Sequence, residues 1–131
     1  MRFTVILTVA FVLTMGSVSA KEFGHNLRGK RLILKGASCA GMEFKDNGRV
    51  DLFDEIVCSR LREPTLVARI RWLTNDLFVL TETKVVTQGC PPRNWIYRVD
   101  KVSANQVTLT VISTGWKEHK DETLEYDVAH E

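Results

Sequence analysis

Gly41-Met42-Glu43-Phe44-Lys45-Asp46-Asn47-Gly48-Arg49-Val50-Asp51-Leu52 is the stretch that decides the fold. Apolar and polar residues alternate on both sides of Asp46-Asn47-Gly48, as in two half-buried strands joined by a tight turn. A two-residue Asn-Gly turn sets Phe44 opposite Asp51, an aromatic against a charge on one face. A three-residue loop with Gly48 in the left-handed bulge position sets Phe44 opposite Val50 and Met42 opposite Leu52. A slip of one residue would turn a whole strand inside out, so the register keeping apolar with apolar is expected.

The same reasoning extends along the chain. Thr74-Asn75-Asp76 as a three-residue loop pairs Trp72 with Phe78 and Ile70 with Leu80, and Ser103-Ala104-Asn105 reads as a third turn of this kind. No stretch holds a helical period for three turns. Eight strands are expected: Arg31–Lys35, Gly41–Lys45, Arg49–Arg60, Thr65–Leu73, Leu77–Val85, Trp95–Val102, Gln106–Ser113 and Glu122–Val128. Lys21–Lys30 is polar and glycine-bearing and reads as an irregular lead-in. Eight antiparallel strands with short connections remove their exposed edges by closing. The predicted fold class is therefore all-β, an eight-stranded antiparallel up-and-down barrel over residues 31–131. Phe44, Leu52, Ile70, Trp72, Phe78, Leu80, Tyr97, Val99 and Tyr126 are expected to face inward.

Three segments carry a family likeness. Met42–Val50 resembles the first hairpin of lipocalin-like small barrels, Trp72–Leu80 their next hairpin, and Tyr97-Arg98-Val99 with Val107-Thr108-Leu109 their final strands. The resemblance spans roughly residues 28–128. It implies a barrel with a binding mouth, and no functional residue is carried over with it.

Residues 1–20 read as a cleavable signal peptide. Arg2 supplies the positive start, Phe3–Met15 is apolar apart from three threonines, and Val18 and Ala20 suit the positions a signal peptidase accepts. The run is short of the roughly 20 apolar residues of a membrane span. A periplasmic or secreted location follows. Arg2 is the only charged residue removed, leaving 17 basic against 16 acidic residues. That near-neutral, mixed balance does not suit nucleic acid, which calls for a basic stripe. No stable membrane span is expected, and the oligomeric state is left open.

Export bears on Cys39, Cys58 and Cys90, because an oxidising compartment favours one disulfide. Connections in a meander alternate between the two ends of the barrel, so all three cysteines fall at one rim. Cys39–Cys58 is the first choice, with Cys58–Cys90 the alternative and Cys39–Cys90 or no bridge also open. The same rim carries Gly89-Cys90-Pro91-Pro92-Arg93-Asn94-Trp95 and Trp116. Two prolines lower the cost of ordering the loop. Arg beside Trp is a common make-up of a protein-binding hot spot. Arg93, Asn94, Trp95 and Trp116 are thus candidate binding residues.

Glu82 joins them, because the Trp72–Phe78 register sets it opposite Ala68, facing inward. Asp54 is expected to face inward by the same count from Leu52. A buried carboxylate needs a partner, and a buried pair here needs Arg69, Arg71 or Arg98 nearby, although all three read as solvated outer-face residues. His25, His119 and His130 have no metal-ligand spacing. No catalytic residue, metal or cofactor is expected. Cys90 with His119 is the one conceivable nucleophile and base at a shared rim, and no motif flanks it. The function expected is a non-enzymatic binding module acting through one rim on a protein partner or a small apolar ligand. Its alternatives are a periplasmic inhibitor or immunity-type protein, and an enzyme of unknown type.

Overall fold

The structure is a computed structural model describing residues 23–84 and 89–130. The stretch 1–20 read as a signal peptide lies outside the described residues, as does Val85, the last residue of the fifth expected strand. The elements are α1 (Phe23–Leu27), β1 (Arg31–Leu34), β2 (Gly41–Phe44), β3 (Arg49–Phe53), α2 (Glu55–Leu61), β4 (Leu66–Trp72), β5 (Leu77–Glu82), β6 (Asn94–Val102), β7 (Gln106–Ile112) and β8 (Glu122–Val128), with a 3-10 turn at Trp116–Glu118 before β8. The eight strands form one closed antiparallel barrel in sequence order. Closure comes from β1 on β8, with Leu32 opposite Val128 and Leu34 opposite Tyr126.

The expected hairpin registers are present. Phe44 pairs with Val50 and Met42 with Leu52. Trp72 pairs with Phe78 and Ile70 with Leu80. Gly48 has the positive φ of 78° that the bulge position needs. The third turn is more subtle. Val99 pairs with Leu109 as a three-residue loop requires, but a bulge between Val99 and Lys101 then sets Val102 opposite Val107. The extra residue brings a second apolar pair into register.

The interior is apolar and close-packed. Leu32, Val50, Ala68, Phe78, Leu80, Val107 and Leu109 are fully buried. Phe78 sits among three rings, with centroids 5.9 Å from Phe44, 5.0 Å from Trp72 and 5.3 Å from Tyr97. Each buried Leu, Val or Phe side chain among them stabilises the fold by about 1.5–3 kcal/mol. All nine residues expected inside belong to this core or pack against it.

Two expectations fail. The lead-in is not irregular: Phe23–Leu27 is helical and Leu27 is wholly buried in the core. The Gly29 N–H donates to the Phe44 carbonyl (2.7 Å) and the Phe44 N–H to the Lys30 carbonyl (2.9 Å), tying this segment to β2. A five-residue helix has too few residues to show a period, so packing of Leu27 and not local pattern holds it. The third strand also ends at Phe53 rather than continuing to Arg60. Asp54 caps α2, its carboxylate accepting from the N–H groups of Ile56 (2.9 Å) and Val57 (3.4 Å). Asp54 is accordingly exposed and does not face the interior.

Candidate functional site

Connections β1–β2, β3–β4, β5–β6 and β7–β8 lie at one end of the barrel, as antiparallel order requires. This end holds the cysteines. Cys39 and Cys58 are bonded, and Cys90 is free and exposed. On a continuous strand to Arg60, Cys58 would have pointed away from Cys39. The turn into α2 brings it round, with Cys58 buried and 19 residues from its partner in sequence.

Glu55 reinforces the bridge. Its carboxylate accepts from the backbone N–H groups of Ser38 (2.9 Å), Cys39 (3.2 Å) and Ala40 (2.8 Å), and from the Ser38 hydroxyl. Three successive amides converging on one carboxylate make an anion nest. The Ser38 hydroxyl, followed by these amides, holds the Glu55 carboxyl at about 2. Arg31 adds a third tie: it stacks 3.7 Å from the Phe53 ring centroid and donates to the Cys39 carbonyl. The Cys39 and Cys58 sulfurs and the Glu55 carboxylate lie within ligand distance of one another. The sulfurs are bonded to each other, so the cluster is a structural clasp and not a metal site. Sequence reasoning missed Glu55, although Asp54-Glu55 ahead of Ile56-Val57 is a helix-start signal.

Glu82 ends β5 opposite Ala68 and faces inward, with only 7% of its surface exposed. Its partner is Arg93, not Arg69, Arg71 or Arg98, all of which are exposed on the outer wall. The carboxylate accepts from the Arg93 backbone N–H (2.9 Å) and its Nε (3.0 Å), and Nη2 lies at 3.0 Å. The Arg93 amide, then the guanidinium, lowers the Glu82 pKa against the opposing effect of burial. The Arg93 guanidinium also lies 5.5 Å from the Trp95 ring centroid, and Trp95 is half-buried against the core. Glu82, Arg93 and Trp95 therefore form one cluster at the barrel mouth. Asn94 turns to the other face of the strand, where its amide oxygen accepts from the Thr81 hydroxyl (2.7 Å).

Trp116 stands apart, on the β7–β8 connection. It is 67% exposed. Its turn holds three residues at positive φ: Gly115 (81°), Lys117 (53°) and Glu118 (60°). Left-handed backbone at Lys and Glu costs about 1–2 kcal/mol each. The base of the loop is pinned: the Asp121 carboxylate accepts from the Ser113 N–H (2.8 Å), and the Ser113 hydroxyl donates to the His119 carbonyl (2.7 Å). The indole stacks on the His119 ring at 6.4 Å, and the Lys117 ammonium lies 4.4 Å from its centroid. On α2, Ile56 and Leu61 are also about two-thirds exposed.

Deeper in the barrel, Tyr97 and Tyr126 are both buried. Neither hydroxyl has a hydrogen bond to another described residue. Burial raises both pKa values, and at Tyr126 the nearby Tyr97 phenol and Glu122 carboxylate add to the rise. Both phenols stay protonated. No helix among the described residues is long and apolar enough to cross a membrane. Comparison of the chain with models of protein families, with curated proteins and with solved structures finds no match.

Proposed function

We propose that this protein is an exported, non-enzymatic binding module of lipocalin-like build, periplasmic or secreted, that engages a protein partner through its cysteine-bearing rim. The observation that carries this reading is Trp116, a large indole two-thirds exposed on a turn with left-handed Lys117 and Glu118. Strained backbone that presents an apolar side chain to water opposes folding, and such strain gathers at functional positions. Tryptophan is also the residue most enriched at interface hot spots. Ile56 and Leu61 add exposed apolar surface on the same rim, held by the disulfide and the Glu55 nest. A filled core of interlocked rings around Phe78 favours a surface contact over a ligand at that depth. Arg93, tethered by Glu82, supplies a fixed cation beside Trp95. A partner with an apolar pocket flanked by a carboxylate fits this set, and an enzyme cleft blocked by the rim is one form of it.

A second reading is a small ligand in the throat, favoured by the buried Tyr97 and Tyr126, whose hydroxyls have no hydrogen-bond partner among the described residues. Affinity capture from an envelope extract, using wild-type protein and Trp116→Ala, tests the rim. A captured species whose affinity falls by about thirtyfold or more in the variant supports it. Unchanged capture by a folded Trp116→Ala protein refutes it.

A further inference from the structure

The end of the barrel opposite the cysteine rim carries a recess of about 490 Å³ between α1, the β2–β3 turn and the β4–β5 turn. Register explains it. β3 begins with Arg49 opposite Arg69, so Ile70–Trp72 of β4 runs on with no β3 residue beside it. Phe44, Ile70 and Trp72 line the apolar part of this recess, and Arg28, Asp46 and Asn75 line the polar part. The volume lies in the range of about 300–1,000 Å³ typical of small-molecule sites.

The indole of Trp72 is held as a wall. One side meets Phe78, with centroids 5.0 Å apart. The ring also meets Gly24, where a Cβ would stand 3.0 Å from Cε2 and 3.1 Å from Nε1. A larger residue at position 24 would displace the ring, so the glycine sets how far α1 closes over the recess. Among the described residues, the Trp72 N–H donates to no acceptor, and neither Arg28 nor Asp46 forms an ion pair or side-chain hydrogen bond. Lys45, also at the recess, is already neutralised by Glu43 at 2.8 Å.

Among the described residues, the Arg28 guanidinium and the indole N–H are thus donors without an acceptor at the recess, beside the apolar side chains of Phe44 and Ile70, and Asp46 is the carboxylate that lines it. A guanidinium takes a carboxylate or sulfonate by paired, charge-assisted hydrogen bonds. We propose that this recess binds a small amphipathic anion, its apolar body against Ile70 and Trp72 and its acidic group on Arg28. The site lies at the other end of the barrel from the rim and does not depend on the rim reading.

The test uses 1-anilinonaphthalene-8-sulfonate as the anionic probe and uncharged N-phenyl-1-naphthylamine, which has nearly the same apolar body, as its control. Fluorescence titration of the purified protein should show the anion bound more tightly than the neutral compound. Arg28→Gln should weaken the anion by about fivefold. Asp46→Asn should tighten it by about twofold through the lost repulsion. Both positions are exposed, so both variants should keep the wild-type circular dichroism and melting temperature. Neither change should alter binding of the neutral probe. Equal affinity for the two probes overturns the proposal. So does an Arg28→Gln protein that binds the anion as well as wild type, or loss of anion binding in Trp116→Ala instead.

Discussion

Reducing the Cys39–Cys58 bridge should lower the unfolding midpoint by about 14 °C while leaving the fold intact, a figure that follows from loop length and domain size. The cysteines are 19 residues apart. Closing such a loop removes about 11 cal/mol/K of unfolded-state entropy, or about 3.3 kcal/mol near room temperature. Unfolding entropy of about 2.1 cal/mol/K per residue over about 110 residues converts this to about 14 °C. The native side of the balance is protected. Glu55 still gathers the Ser38, Cys39 and Ala40 amides, and Arg31 still bonds the Cys39 carbonyl, so the clasp persists without the S–S bond. Reduction also leaves both sulfurs in place, which avoids the cavity that Cys58→Ala would open at a buried site. The assay is a thermal melt followed by near-ultraviolet circular dichroism, with and without a phosphine reductant, in a Cys90→Ser background that removes thiol exchange. A fall of less than about 4 °C, corresponding to under about 1 kcal/mol, would refute the entropic account. Loss of the near-ultraviolet signal on reduction at room temperature would refute the claim that Glu55 and Arg31 hold the clasp.

Glu55 also predicts acid behaviour. Its pKa is about 2 in the folded chain against an ordinary 4.5, so the stability it adds is complete above 4.5 and is lost as pH falls toward 2. Glu55→Gln should be less stable than wild type at neutral pH, with the gap narrowing through that window. Parallel melting curves across it would contradict this assignment. A third prediction concerns Gly41, where φ is 151° and a Cβ would stand 1.9 Å from the Leu32 carbonyl oxygen. Gly41→Ala should destabilise by more than about 3 kcal/mol, since the neighbour is backbone of the adjoining strand. Gly36→Ala, with nothing within 4 Å of its Cβ, should lose only about 1–2 kcal/mol from its positive φ. Urea midpoints of the two variants decide the matter, and equal losses would refute the close-approach argument.

Legibility of the site followed the range of the interaction. The inward setting of Glu82 could be read because Trp72–Phe78 pairing is local to one hairpin and carries Glu82 with it. Its partner could not be read in the same way. Arg93 lies across the long β5–β6 connection, and nothing in its neighbours' pattern says that its amide and guanidinium turn back onto that carboxylate. Asn94 and Trp95 adjoin it in sequence, yet adjacent strand residues point to opposite faces, and of the two only Trp95 joins the cluster. Arg49–Arg60 reads as one continuous strand in a chain rich in β-branched residues, which favour strands. Asp54 capping two amides outweighed that preference over seven residues.

What the amino-acid order determined by itself was the number of strands, the inward face of nine core residues, two hairpin registers and the gathering of three cysteines at one end. All of these follow from period-two alternation and turn chemistry, which act between near neighbours. Only the tertiary structure decided the register of the β1–β8 seam, the choice of Cys39–Cys58 among the possible pairings, the burial of Leu27 and the meeting of Glu82 with Arg93. Those contacts join residues far apart in the chain. Their distances depend on the tilt and stagger of a closed barrel and on the path of its connections, which no local pattern encodes.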